Sequence, residues 1–292
     1  MADVLVVGAS GLVGRVLSER FGARAAATHL DTAVPGGHRL DVRDAAAVER
    51  VLDTVAPRVV VHAAAYTDVN GCETDPERSH QTNVGGALNV ARAAACRGCR
   101  VLFFSTDYVF AGVGGPHAPD APVAPMNVYG RHKLEAERAV LETCGDAVVV
   151  RGCNIYGYQP GGKNFAMAVY ELGRSGRTMR VPSDQYGCPT LAADFADAVE
   201  RLAAGDRTGV VHVAGPDYVS RPEWATRAAA AFGLDPAFIE AVPTSELGQA
   251  APRPLEAGLQ AADTERELGL RFSTLDQGLT TMAKKMGTGT IS

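Results

Sequence analysis

No apolar stretch of the chain approaches the roughly 20 residues that span a bilayer, so a helical membrane anchor and a membrane partner are not expected. Basic stripes are missing too. The 28 Lys and Arg are interspersed among 33 Asp and Glu for a net charge of −5, whereas binding to a polyanion needs clustered positive charge, so nucleic acid is not an expected partner. Cysteine lacks the dense spacing of a short secreted scaffold. Cys72, Cys96, Cys99, Cys144, Cys153 and Cys188 therefore read as reduced thiols. Cys96 and Cys99 form a solitary C-x-x-C with no second pair or H-x-x-x-H nearby, so no metal is expected, and the segment reads as a helix end, a turn at Gly98 and a buried strand. Met1 leads directly into strand-like DVLVVG, and a cytoplasmic location is the expectation.

What the sequence does have is alternation. The apolar runs DVLVVGA, RAAATHL, PRVVVHAAA, RVLFFST and DAVVVRGCN are separated by helical patterns from about Leu12 to Phe21, over AAAVERVLDTVA, over NVGGALNVARAAACR and from about Tyr129 to Glu142. These runs are continuously apolar, as strands covered by helices on both faces require. The fold class is therefore α/β, a doubly wound parallel sheet, with a smaller and mostly helical lobe appended. From Tyr156 the texture turns rich in glycine and proline, YGYQPGGKNF and VPSDQYGCPT, around a short helix near Phe165 to Gly173. ADFADAVERLAAG and GVVHVAG read as a helix and strand returning to the sheet before a helical C-terminal portion. The expected division is 1–154 plus 188–214 for the sheet domain and 155–187 plus 215–292 for the lobe. No fixed-period repeat is visible, and the tail GTGTIS is expected to be frayed.

Directly after the first strand stands Gly8-Ala9-Ser10-Gly11-Leu12-Val13-Gly14, a G-x-x-G-x-x-G turn opening a helix. Absent side chains let the turn be tight, let backbone approach a pyrophosphate and let helix pack on strand, while the helix N-terminus faces the phosphates. Gly8, Ser10, Gly11, Leu12, Val13 and Gly14 are thus candidates for holding a nicotinamide dinucleotide. The choice between cofactors is read at the end of the second strand, Thr28-His29-Leu30-Asp31. With His29 at the tip no carboxylate repels a 2′-phosphate and NADP(H) is favoured; with Asp31 reaching back, NAD(H) is the alternative. Asp41 and Val42 in LDVRD either border the adenine, or Asp41 caps the helix that follows.

Tyr129 and Lys133 are four residues apart in NVYGRHKLEAE and so project from one helix face. A neighbouring ammonium stabilises a phenolate, drawing a phenol from its reference pKa of about 10 toward a working range. Ser105-Thr106-Asp107 follows the RVLFF strand, at the edge where open α/β sheets place ligands, and a hydroxyl there can bond a substrate carbonyl. Small residues Ala63, Ala64 and Ala65 after the fourth strand would admit a nicotinamide to the backbone. Three strand ends converge on one crevice.

These pieces, GASGLVG, HAAAYTDVNGCE, STDYVF, PMNVYGRHKLEAE, NFAMAVYELGRSGRTMRVPSDQYGCPT and PRP near Arg253, span nearly the whole chain in order. With them the chain resembles the dTDP-4-dehydrorhamnose reductase branch of the extended short-chain dehydrogenase/reductase family. The resemblance implies a Rossmann-type sheet, with Thr106, Asp107, Tyr129 and Lys133 as catalytic positions and the glycine turn, Ala63 to Ala65 and Lys133 around the cofactor. It also implies that Val69, Asn164, Phe165, Gln185 and Arg253 lie near a nucleotide-sugar substrate. For Phe165 and Gln185 ordinary loop packing is the competing reading, and Arg253 has a substrate phosphate or a surface acid as its partner. Relatives often carry an R-T-S-W-like segment whose tryptophan stacks beside the sugar; here Arg151-Gly152-Cys153-Asn154 puts Asn154 at that place, turning an apolar face polar. Homodimers are common among relatives, and the resemblance carries that assembly over as an expectation.

The leading functional reading is a nicotinamide-dependent reductase of a nucleotide-linked 4-keto-6-deoxy sugar, with the proton delivered by Tyr129. A different sugar or a nucleotide-free ketone is the alternative substrate for the same reductase chemistry, and two readings of another kind stand beside it. One is a non-catalytic binding subunit, since the methionine adenosyltransferase beta subunit is similar to this branch. The other is an epimerase or dehydratase, which shares the Tyr/Lys pair but retains its hydride within each cycle.

Overall fold

The computed structural model describes residues 2–287 of the 292. Its centre is a seven-stranded sheet built from β1 (Val4–Val7), β2 (Ala25–His29), β3 (His38–Arg39), β4 (Val59–His62), β5 (Arg100–Thr106), β6 (Ala147–Gly152) and a last strand, Gly209–Val213. In space the order is last strand, β6, β5, β4, β1, β2, β3, and every pairing is parallel. The strand order reverses between β1 and β4, which opens a crevice at their C-terminal ends.

The continuous apolar runs have a direct cause. In β1, Val4 and Val6 enter a core with Leu17, Phe195 and Val199 on one face, while Leu5 and Val7 enter a second core with Leu52, Val90 and Val140 on the other. Both faces are covered, so no position in the strand is left for a polar residue. Each such side chain contributes roughly 1.5–3 kcal/mol by leaving water. The Leu12–Phe21 and Ala192–Ala204 helices pack together over the first core.

One helix departs from expectation. NVGGALNVARAAACR begins as a π-type turn over Gln81–Gly85 and becomes a regular helix only at Gly86–Ala95. The widened turn carries Asn83, which accepts from the Tyr66 amide at 2.8 Å and donates to the Tyr66 carbonyl at 3.0 Å, fixing the loop that leaves β4. The C-x-x-C segment ends that helix: Cys96 is exposed, and Cys99 is buried with its thiol donating to the Pro57 carbonyl at 3.0 Å.

A third core lies in the lobe, where Tyr156, Met167, Trp224, Phe232, Leu279 and Met282 bring together the helices Phe165–Arg174, Arg221–Ala231 and Leu275–Met286. Leu259, Ala261 and Phe272 return to the sheet-side core and tie lobe to sheet. Of the tail GTGTIS, everything after Gly287 lies outside the described residues.

Candidate active site

At the end of β1 the glycine turn is required by its surroundings. Gly8 has φ +91°, and a Cβ there would lie 2.7 Å from the Ala64 amide nitrogen; one on Gly14 would lie 2.3 Å from the Gly8 carbonyl oxygen. No side chain fits either place. Gly11 caps the Leu12–Phe21 helix with extended backbone. Thr28 pins the turn from β2, its hydroxyl accepting from the Gly8 amide at 3.2 Å and its carbonyl from the Ala9 amide at 2.8 Å.

A groove of about 330 Å³ runs from this turn, lined by Gly8, Ser10, Gly11, His29, Asp31, Asp41, Val42, Arg43, Ala64 and Ala65 among others. His29 and Asp31 thus both border it, and the His29 Nδ1 is buried without a protein partner among the described residues. Leu12 and Val13 do not line the groove: the Leu12 side chain borders a separate small cavity with Gly157 and Tyr158, and Val13 packs on the sheet-side core. Asp41 does not cap the next helix. Asp44 does, accepting from the Ala47 amide, while Asp41 holds the Arg43 guanidinium through both oxygens at 2.6–3.1 Å. Arg43 keeps Asp41 below the ordinary carboxylate range. Arg43 was legible in LDVRD, yet only the fold brings it to the groove wall.

Beside the groove, β5 ends in Thr106 and Asp107. The Thr106 hydroxyl donates to Asp107 at 3.1 Å and accepts from the Tyr108 amide at 3.2 Å. Buried Asp107 also accepts from the Cys153 thiol at 2.8 Å and the Gly258 amide at 3.3 Å. Burial raises its pKa, against the opposing pull of those hydrogen bonds and the Arg221 charge. Cys153 read as an ordinary core thiol in the sequence.

Tyr129 and Lys133 emerge from the Val128–Thr143 helix, whose first turn is capped by the Asn127 side chain at the Gly130 amide. The Tyr129 ring meets Tyr108 edge-on at 5.9 Å, and its hydroxyl lies within the influence of Thr106. Burial pushes its pKa up, with Thr106 acting in the opposite direction. The direction is opposite to the one expected from the Tyr/Lys spacing: burial dominates, Cys72, Asp107 and Tyr108 add to it, and the Lys133 ammonium is turned to the Phe104 carbonyl. Lys133 is itself buried, donates to the Phe104 carbonyl at 2.6 Å and sits 4.0 Å over the Phe103 ring. Desolvation draws its pKa down to about 7. His62 at the end of β4, stacked on Phe103, falls to about 3 through burial and the Lys133 charge.

The lobe residues divide. Asn154 adopts φ +48°, and its Oδ1 accepts from Arg221 at 2.6 Å. Phe165 packs on Trp224 with centroids 4.5 Å apart and under the Arg221 guanidinium. Asn164 is committed to structure: it caps the Phe165–Arg174 helix at the Met167 amide and donates to the Gly157 carbonyl. Gln185 is buried and donates to the Thr244 hydroxyl at 3.0 Å, which accords with loop packing. Val69 opens the short helix after Asp68, whose residue Asn70 accepts from Arg253 at 2.9 Å. Arg253 thus has neither a surface acid nor any other carboxylate as partner among the described residues. Arg221 escaped the sequence reading because RPEWA signals only a helix start.

The family model described as the RmlD substrate binding domain matches residues 1–288. The chain is 37% identical over 280 residues to dTDP-4-dehydrorhamnose reductase of Streptomyces griseus, spanning 94% of this chain and 85% of that one. It is 30% identical over 272 residues to methionine adenosyltransferase 2 subunit beta of Rattus norvegicus, spanning 90% and 81%. Its fold is similar, with a TM-score of 0.88 and 27% identity over 98% of this chain and 100% of the other, to a crystal structure of dTDP-4-dehydrorhamnose reductase from Bacillus anthracis str. Ames in complex with NADP.

Proposed function

The chain belongs to the RmlD substrate binding domain family, and from that premise we propose that it reduces the keto group of a nucleotide-linked 4-keto-6-deoxy sugar, most simply a dTDP-linked hexose. It is an NAD(P)H-dependent oxidoreductase of the ketone/alcohol type, with NADP(H) favoured and NAD(H) the alternative. One observation carries the reading: the Gly8 turn, the Ala63–Ala65 segment, Thr106 and the Tyr129–Lys133 face gather at the C-terminal ends of the adjacent strands β1, β4 and β5.

The residues present fit a dinucleotide. Gly8 and Gly14 let the turn close against Ala64 and against the first helix, so that Gly8, Ser10 and Gly11 line an open groove, and the His29 Nδ1 bordering it is buried with no partner among the described residues. Gly8, Ser10, Gly11 and Gly14, with the Leu12 and Val13 amides, would hold the pyrophosphate; His29, Asp41, Val42 and Arg43 would border the adenosine ribose; Ala63, Ala64, Ala65, Tyr129 and Lys133 would border the nicotinamide end. Bound there, the reduced nicotinamide supplies a hydride to the ketone carbon. The chain's own part is proton and charge handling. The Thr106 hydroxyl, whose hydrogen rests on Asp107 in the free protein, turns it to the substrate carbonyl and polarises it. Tyr129, kept protonated at neutral pH by burial, gives its proton to the developing alkoxide. Lys133, at the boundary of its charged state, supports that transfer from the same helix face, and Asp107 orients Thr106 through their hydrogen bond. Val69, Asn154, Asn164, Phe165, Gln185 and Arg253 remain the proposed surroundings of the sugar nucleotide, with Asn164 and Gln185 acting through the packing of the lobe.

The test is NADPH oxidation with dTDP-4-keto-6-deoxyglucose and with its epimerised derivative. Stoichiometric cofactor consumption supports the reductase. Tight NADP(H) binding without oxidation across a panel of keto sugars would overturn it in favour of a binding subunit, the reading that the likeness to methionine adenosyltransferase 2 subunit beta supports. Sugar conversion without net consumption would indicate an epimerase or dehydratase.

A further inference from the structure

One hydrogen bond of the buried Asp107 comes from the Gly258 amide, 151 positions further along the chain. Gly258 belongs to no strand of the central sheet. It is placed by His117, whose amide donates to the Gly258 carbonyl at 3.0 Å and whose carbonyl accepts from the Gln260 amide at 2.8 Å, forming a parallel bridge with Leu259. Two further bonds fasten the same junction: Gln260 Nε2 donates to the Pro116 carbonyl at 2.9 Å, and the Gly114 amide donates to Glu256 at 2.6 Å. Gly258 has φ +111°, and a Cβ there would lie 3.0 Å from the Cys188 Sγ and 3.2 Å from the Tyr218 ring, so only bare backbone can approach Asp107 here.

His117 is itself held from the other side of Asp107. Phe110 stands three residues after Asp107, its amide donating to the Asp107 carbonyl at 3.1 Å and its ring buried in the sheet-side core. The His117 imidazole stacks on that ring with centroids 4.3 Å apart and planes 16° apart. His212 meets the same ring edge-on at 5.8 Å, and the Arg151 guanidinium lies 5.1 Å from its centre. The contacts close a circuit from Asp107 to Phe110, from Phe110 to His117, from His117 to Gly258 and back to Asp107. The ring stack is the link that the identity of residue 117 decides, since the others run through backbone and through the carboxylate itself.

We propose that His117 is a positioning residue for the reaction: stacked on Phe110, it holds the Gly258 amide against Asp107 and so fixes the carboxylate on which the Thr106 hydrogen rests. Asp107 then has supports on two sides, the Cys153 thiol from the end of β6 and the Gly258 amide from the lobe. Without the stack, the segment 111–126 keeps only its backbone bonds and the amide moves away from the carboxylate. A carboxylate that loses an N–H donor is protonated more easily. The titratable and charged groups that face Asp107 are the Cys153 and Cys188 thiols, Tyr108, Tyr129, the Arg221 guanidinium and His117 itself. The inference rests on the reductase reading of Thr106 and adds to it a residue that acts through Asp107.

The experiment takes two readouts on the full chain: kcat and KM with NADPH and dTDP-4-keto-6-deoxyglucose across pH, and the titration of the Asp107 carboxyl followed by its carbon resonance in aspartate-labelled protein, assigned with Asp107→Asn. His117→Ala should lower kcat about tenfold, the effect of a small displacement near the reacting groups, and leave the KM for NADPH unchanged. It should also move the acid limb of kcat and the Asp107 titration upward by about 0.5 to 1 in pH, the weight of one hydrogen bond. His117→Phe removes the imidazole as Ala does but keeps a stacked ring, and should recover most of both losses. If His117→Ala folds poorly, Gly115→Ala decides: a Cβ there would lie 2.5 Å from the Glu256 carbonyl oxygen and 2.6 Å from that of Ala257, so it opens the same junction and should raise the Asp107 titration likewise. A parent-like Asp107 titration in either folded variant, or a Phe variant as impaired as the Ala variant, would overturn the proposal and leave His117 a packing residue. A parent chain that oxidises no NADPH would instead sink the reductase reading, and the resonance titration would still decide the role of His117.

Discussion

The Cys153 thiol donates to Asp107 at 2.8 Å, joining the residue after β6 to the residue after β5 beneath the proposed substrate carbonyl. A thiol is a weak donor, so it satisfies the buried carboxylate without locking it. Both groups are raised in pKa by burial. Replacing Cys153 by Ser should supply a stronger donor, lower the pKa of Asp107 and shift the acid limb of the kcat profile downward. An unchanged acid limb would disconnect Asp107 from turnover.

Tyr129→Phe removes the proposed proton donor and little else. Turnover should fall by roughly 10²- to 10⁴-fold, the usual worth of a positioned general acid, with NADP⁺ affinity retained in a fluorescence titration. Near-normal turnover would refute the assignment.

Lys133 is predicted to make stability depend on pH. Its folded pKa is depressed to about 7 from 10.5, so between those values the unfolded chain binds more protons than the folded one. Stability from this group therefore rises as pH climbs from about 7 toward 10.5, falls over the same interval as pH drops, and is flat below about 7. The melting temperature of the parent minus that of Lys133→Met should grow over that interval; a flat difference would contradict it.

The Arg151–Glu137 pair is buried on both sides, with contacts of 2.9 and 2.7 Å. Glu137→Gln leaves the guanidinium uncompensated and should cost about 3–5 kcal/mol in denaturant unfolding. The exposed Arg227–Glu223 pair makes the contrast: Glu223→Gln should change stability by less than about 0.5 kcal/mol.

Arg43 borders the ribose end of the groove, held by Asp41. Arg43→Ala should raise the KM for NADPH by about tenfold, the effect of one charge-assisted contact, and leave that for NADH nearly unchanged. Equal changes for both cofactors would remove Arg43 from the choice between them.

Much of this molecule was determined by the sequence alone. Continuous valine and alanine runs can be strands only if both faces are covered, so the parallel sheet and its helices followed from DVLVVGA and DAVVVRGCN. Gly8 and Gly14 were legible because the turn leaves no room for a side chain, and Tyr129 and Lys133 because a helix puts residues four apart on one face. Tertiary structure alone decided the rest. Whether Asp41 caps a helix or holds Arg43 depends on which neighbour approaches it, and Asn164 and Gln185 spend their polar atoms on lobe contacts that no local pattern encodes. Above all, the directions in which Tyr129 and Lys133 shift are set by desolvation, a property of everything packed around them. Arg221 meets Asn154 across 67 positions of chain; only folding could bring the two together, since spacing rules reach no farther than a helix turn or a strand pair.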